Sequence, residues 1–301
     1  MVTEADIHLP DGRTLHFYDT GFLDTTGEDG NDSDRGRSGS PVPVLWLHGS
    51  PNIGSPPEPL FAAAAANGLR WISYDRPGYG GSSAHDGRTV ASAAADVAAI
   101  ADALGITRLV VLGHSGGGPH ALACAALQPD LVAAAVSVSA PAPFDADGLD
   151  WFAGSSPGIA AENRAAAGGR AALEAHWAQA EPEAVGAFFT AADVAALGER
   201  WSWLAGVAGQ AMQQGNEGYA EDTLASVQPW GLSPAAITVP VLVMHGADDK
   251  MVPCAHGEWL ASHCPAAQLR VIPDAGHITV LDSAPHGLAW LAQALAAQSG
   301  A

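Results

Sequence analysis

Cations are scarce in this chain. Lys and Arg together number 12 against 32 Asp and Glu, which leaves a formal net charge of −20 over 301 residues. Such a surface repels polyanions, so no nucleic acid and no anionic membrane is expected as a partner. Cysteine is also scarce, with only Cys124, Cys254 and Cys264. An odd count without C-x-x-C spacing supports neither a disulfide framework nor a zinc site. His245 and Asp248 lie near each other, but no third ligand stands at a recognisable spacing, and no metal is expected. No apolar run is long enough to span a bilayer. The opening Met-Val-Thr-Glu-Ala-Asp lacks the basic and apolar regions of a signal peptide, so a cytoplasmic location is expected. There is no internal repeat.

What is present is apolar surface, 48% of the residues, which is ample for a sizeable core. It is arranged as strands alternating with helices. Residues 4–9 and 13–18 read as a hairpin turning at Asp11-Gly12. Residues 23–40 are almost all Gly, Asp, Ser, Thr and Arg and read as a solvated loop. Apolar, β-branched runs at 42–47, 70–74, 108–112, 132–139, 239–245 and 269–272 read as buried strands. Thr89 reads as an N-cap and Gly105 as the C′ glycine of one intervening helix. This alternation implies crossover connections and a parallel sheet. It breaks between 141 and 233, where no strand is predicted and aromatics concentrate. That segment reads as a helical cap inserted between core segments 1–140 and 234–301.

The centre of the pattern is Leu109-Val-Val-Leu-Gly113-His-Ser115-Gly116-Gly117. A strand runs into G-x-S-x-G and then into an Ala-rich helix, the context of a nucleophile elbow. A serine on so tight a turn needs neighbours without side chains. Its hydroxyl then stands above the first turn of a helix, where free N–H groups and the positive dipole end meet a developing anion. A serine hydroxyl is a poor nucleophile unless a histidine takes its proton and an acid orients that histidine. Two later loops at strand ends supply both types. One carries adjacent Asp248 and Asp249, and the other carries Gly276-His277. All three fall at the edge of the sheet where sites form in open parallel folds.

At this point the chain resembles the α/β-hydrolase superfamily, in its lidded Ser-Asp-His branch. The segments that carry the resemblance are His48-Gly-Ser-Pro51, Asp75-Arg-Pro-Gly-Tyr-Gly-Gly-Ser82, Gly113-His-Ser-Gly-Gly117, Gly246-Ala-Asp-Asp249 and Ala275-Gly-His277. It implies an α/β-hydrolase fold, with a mostly parallel central sheet, helices on both faces and an inserted helical cap. It implies Ser115 as nucleophile, His277 as base and Asp249 as orienting acid. It also implies the Ser50 and Gly116 N–H groups as the oxyanion hole. With Ser rather than Asp at position 115, it does not imply the carboxylate chemistry of dehalogenases and epoxide hydrolases.

The function expected is cleavage of a small or medium, largely apolar carboxylic ester, or a similar acyl compound, through an acyl-enzyme, with a small-molecule substrate and no cofactor. Trp151, Phe152, Phe188 and Trp203 are the expected substrate contacts in the cap. The same constellation also serves prolyl aminopeptidases, C–C bond hydrolases, cofactor-free perhydrolases and hydrolase-fold receptors. Arg76 is expected to be structural, and His114 to point away from the site.

Overall fold

Val110 and Leu112 face one side of their strand and Leu109 and Val111 the other, yet all four are buried. This is why the run reads as continuously apolar: both faces of the sheet are covered. The protein is described here from a computed structural model that covers residues 2–21, 41–180 and 185–299. The expected 23–40 loop lies outside the described residues.

The hairpin is β1 (Thr3–His8) and β2 (Thr14–Asp19). There follow β3 (Val42–Leu47), α1 (Phe61–Ala66), β4 (Leu69–Tyr74), α2 (Ser92–Ala103), β5 (Leu109–His114), α3 (Gly117–Leu127) and β6 (Val132–Val138). Five helices come next: α4 (Pro157–Ala167), α5 (Arg170–Gln179), α6 (Ala191–Gly198), α7 (Ser202–Met212) and α8 (Glu217–Ser226). The chain closes with β7 (Val241–Gly246), α9 (Cys254–His263), β8 (Ala267–Ile272) and α10 (Ala284–Ser299).

The eight strands form one sheet in the order β1-β2-β4-β3-β5-β6-β7-β8. Only the β1–β2 and β2–β4 pairs are antiparallel. Alternate residues feed two cores. On one face Leu45, Leu47 and Val111 meet Val97 and Ile100 of α2, Leu122 of α3 and Leu260 of α9. On the other, Val44, Trp46 and Leu112 meet Ala64 of α1 and Leu288 and Leu291 of α10. This is the expected α/β-hydrolase fold.

Among the described residues, no strand lies between β6 and β7. Leu173 of α5, Ala220 and Leu224 of α8 and Trp151 form a third, smaller core there. Several boundaries shift by one or two residues from expectation, among them β1 at Thr3–His8, β7 at Val241–Gly246 and β8 at Ala267–Ile272. Helix α2 is regular from Ser92 rather than from just after Thr89, because its first turn is closed by i→i+3 bonds, Ser92 N–H to Thr89 O at 3.1 Å and Ala93 N–H to Val90 O at 3.4 Å. Gly105 is at C′ with φ +65°, as expected. No helix of the described residues is long and apolar enough to cross a membrane.

Candidate active site

Strand β5 delivers Ser115 in a backbone state that L-residues avoid, with φ +52°. The neighbours make that turn possible. A Cβ on Gly113 would fall 2.2 Å from the Gly117 carbonyl oxygen, and one on Gly117 would fall 1.9 Å from the Leu47 carbonyl oxygen. Strained φ at a residue held by such close backbone contact is a mark of functional sites. The Ser115 N–H donates to Val138 O at 2.8 Å, which ties the elbow to the end of β6.

The loops after β7 and β8 bring Asp249 and His277 to this serine. His277 Nε2 lies 2.9 Å from Ser115 Oγ, and His277 Nδ1 lies 2.8 Å from Asp249 Oδ2. A carboxylate only accepts, so Nδ1 carries the proton and Nε2 is free to receive one from the hydroxyl. The other Asp249 oxygen accepts the Met251 and Val252 N–H groups, each at 2.9 Å. Burial alone would raise the Asp249 carboxyl. The attraction of the His277 ring and these hydrogen bonds outweigh burial and hold it below the usual carboxylate range. Asp248 is exposed, with its N–H on the Ala275 carbonyl. Of the two adjacent aspartates, Asp249 is the one that is buried and bonded to His277.

Ser50 sits beside Ser115 at the end of β3. A Cβ on Gly116 would meet Ser50 Oγ at 2.5 Å and Ser50 N at 3.6 Å. Among the described residues, neither the Ser50 nor the Gly116 N–H has a protein acceptor. Two such donors flanking a serine hydroxyl can receive an oxyanion.

A cavity of about 100 Å³ opens over Ser115. Its apolar wall includes Val90, Pro119, Trp151, Ile159 and Met251, and Glu162, Asn163, Tyr219 and Asp222 add polar groups. Of the four aromatics expected to contact substrate, only Trp151 lines it. Phe152 instead packs edge-on against Phe144 and Trp151, with the Arg164 guanidinium 4.3 Å above its ring. Phe188 is half-buried and does not line the cavity. The next ring, Phe189, faces His277 with centroids 6.3 Å apart. Trp203 packs on Trp46 in the core at 6.3 Å.

Two further expectations are refined. His114 does not merely pack. Its Nε2 donates to the His277 carbonyl at 3.0 Å, and burial together with the nearby His277 ring pushes its pKa down to about 3. Arg76 is structural, as expected, but it grips a neighbouring loop. Its guanidinium donates to the His48 carbonyl, to Gly49 O at 3.2 Å and to Ser50 Oγ at 3.0 Å.

The sequence reading missed two buried carboxylates. Asp193 of α6 caps the loop that carries His277, and Asp222 of α8 meets Arg76 at 2.5 Å. Each meets its partner across the fold, 84 residues away for Asp193 and 146 for Asp222.

Comparisons with known proteins show the family to which this fold belongs. A family model described as the alpha/beta hydrolase fold matches residues 42–284, and the chain belongs to that family. It is an enzyme of the α/β-hydrolase class. A non-heme chloroperoxidase of Streptomyces lividans is 34% identical over 233 residues, covering 71% of this chain and 76% of that protein. A non-heme haloperoxidase of Rhodococcus erythropolis is 30% identical over 263 residues, covering 84% and 91%. The solved structure of a thermophilic esterase from Thermogutta terrifontis matches with a TM-score of 0.66 at 23% identity, over 97% of this chain and 99% of that one. This last likeness is one of fold.

Proposed function

We propose that the protein is a serine hydrolase that cleaves a small carboxylic ester through an acyl-enzyme. The observation that carries this reading is the hydrogen-bond chain Ser115–His277–Asp249, with the unpaired Ser50 and Gly116 N–H groups beside it. Ser115 Oγ attacks the ester carbonyl while His277 Nε2 takes its proton. The two N–H groups hold the oxyanion, and Asp249 stabilises the imidazolium. His277 then returns the proton to the leaving alcohol. Water, deprotonated by the same nitrogen, opens the acyl-enzyme and releases the acid.

The residues 141–233 act in this reading as a cap. Ile159, Glu162 and Asn163 of α4 and Tyr219 and Asp222 of α8 face the cavity that Ser115 shares. A cavity of this size suits a short acyl chain rather than a long one.

A second reading is favoured by the haloperoxidase names of the relatives. On the same acyl-enzyme, hydrogen peroxide replaces water as the acceptor, and a peracid leaves instead of an acid. One experiment addresses both. A fluorophosphonate should label Ser115 stoichiometrically, and Ser115→Ala should abolish turnover of p-nitrophenyl butyrate. Peroxide added to the wild type should produce peracid only if the second reading holds. Turnover of proline p-nitroanilide in preference to the ester would replace both readings by an aminopeptidase.

A further inference from the structure

We propose that Asp222, on α8, is a positioning residue for the oxyanion hole: it fixes the direction of the Ser50 N–H through Arg76 and the Ser50 hydroxyl. The inference rests on the acyl-transfer reading above, because it concerns where that reading places the oxyanion.

The residue is 172 positions from Ser50 in the chain, yet its carboxylate accepts the Ser50 hydroxyl. It also accepts Arg76 Nε at 3.2 Å and Nη2 at 2.5 Å, Arg88 Nη2 at 2.5 Å, and the Tyr79 hydroxyl at 2.9 Å. Arg76 in turn donates to the carbonyls of His48 and Gly49, the two residues before Ser50. The backbone that leads into the Ser50 N–H is therefore held by one guanidinium, and that guanidinium is held by one carboxylate. Gly116 completes the fit, because a side chain there would collide with the Ser50 hydroxyl that Asp222 anchors.

The charge balance supports an active arrangement. Two buried guanidiniums meet one buried carboxylate. His48 and His120 are driven toward the neutral form, chiefly by burial. Both guanidiniums and the Ser50 and Tyr79 hydroxyls thus converge on one carboxylate, and charge-assisted bonds fix their geometry. Asp222 also lines the cavity itself. Losing an oxyanion-hole donor costs about 10²–10³ in kcat, so misdirecting one should cost a fraction of that.

The test compares wild type, Asp222→Asn and Ser50→Ala. Active sites are titrated with a fluorophosphonate, so that kcat refers to folded, competent enzyme. Affinity for butylboronic acid, which forms a tetrahedral adduct on serine, reads the hole directly. We expect Asp222→Asn to lose about tenfold to a hundredfold in kcat per titrated site. KM should change little, and boronate affinity should fall in parallel with kcat. Ser50→Ala keeps the N–H, the ion cluster and the Arg76 bonds to the His48 and Gly49 carbonyls and cuts only the hydroxyl link, so it should lose part of the same factor. The double variant should be no worse than Asp222→Asn. Unchanged kcat per site and unchanged boronate affinity in Asp222→Asn, with only a lower melting temperature, would make Asp222 a folding residue and overturn the inference. If Asp222→Asn does not fold, Ser50→Ala decides by the same two readouts. The hydrolase reading fails on a different result, turnover that survives Ser115→Ala, and the inference falls with it.

Discussion

Asp193 and His277 are 84 residues apart in the chain and joined at the loop that carries the base. The buried carboxylate accepts the N–H groups of His277 at 3.2 Å, Ile278 at 3.0 Å and Thr279 at 2.8 Å, and the Thr279 hydroxyl at 2.8 Å. Gly276 lies so close that a Cβ there would sit 1.9 Å from Asp193 Oδ2. Hydrogen bonds to a charged group are worth about 1.5–3 kcal/mol each, though they do not add fully. Asp193→Ala should therefore lower the unfolding free energy by about 3 kcal/mol. It should also cut kcat, since three consecutive amides lose their anchor beside the base. Urea titration and kcat on one activated ester check this. Wild-type values for both would show that the loop holds itself.

Asp249 and Asp248 offer a sharper contrast. The side chain of Asp249 is fully buried and accepts from His277, whereas Asp248 is exposed. In a serine protease the amide replacement of the orienting aspartate costs about 10⁴ in kcat. Asp249→Asn should lose several orders of magnitude with its circular dichroism intact. Asp248→Asn should lose about twofold or less, as expected of an exposed substitution. A dead Asp248→Asn with an active Asp249→Asn would reverse the assignment.

Much of this site is legible in the sequence, for a physical reason. Parallel strands buried on both faces read as apolar runs, and each functional loop follows one of them. Ser115, Asp249 and His277 are found that way, with the count from Gly246 choosing between the two aspartates. The helices between β6 and β7 are less legible. Phe188 and Phe189 are adjacent, and only the packing decides which ring turns toward His277. Thr190-x-x-Asp193 fits a helix capping box, and it is one: Thr190 N–H and Asp193 N–H are each bonded to the other's side chain at 3.1 Å. The local explanation of Asp193 is thus correct and incomplete, because the same carboxylate also reaches the His277 loop. Asp222 has no local signature, since Arg76 and Arg88 lie more than a hundred residues away in the chain.

Acid should unfold the protein in two stages. His114 and His256 are pushed down to about 3 and about 4, in both cases chiefly by burial. In the unfolded chain each titrates near the ordinary histidine value, so between that value and the folded one the unfolded state binds more protons. Stability from these rings is complete above pH 6.5 and falls progressively toward pH 4 and then 3. Asp249 and Asp222 are held below the ordinary carboxylate range, where burial is outweighed by His277 in the first case and by Arg76 and Arg88 in the second. Their contribution is present above the unfolded carboxylate pKa and is lost below about pH 4. Urea midpoints at pH 8, 6, 5 and 4 should therefore decline before Asp249 and Asp222 protonate. His256→Gln should flatten the decline between pH 6 and 4. A midpoint constant from pH 8 to 4 would contradict the buried neutral histidines.

The last prediction concerns the charge a substrate can carry. Glu162 is fixed at the cavity wall: its two oxygens accept the Tyr219 hydroxyl at 2.5 Å and the Trp177 indole N–H at 2.8 Å. The Asp222 carboxylate lies on the same cavity but is surrounded by Arg76 and Arg88, so Glu162 is the uncompensated anion there. Two like charges about 5 Å apart at an effective dielectric near 20 repel by about 3 kcal/mol. Glu162 is only half-buried, and solvent screening reduces that to about 1–1.5 kcal/mol, or roughly tenfold. Mono-p-nitrophenyl succinate should therefore be a poorer substrate than p-nitrophenyl butyrate by about that factor in kcat/KM. Glu162→Gln removes the charge and keeps the shape of the side chain, with its oxygen accepting the Trp177 indole N–H and its amide N–H donating to the Tyr219 oxygen. It should raise kcat/KM for the succinate ester about tenfold and change the butyrate ester much less. Higher salt should narrow the wild-type gap, because the repulsion is partly screened. Equal rates for both esters in the wild type, with no response to Glu162→Gln, would show that the acyl chain does not pass this carboxylate and that the cavity is entered from another side.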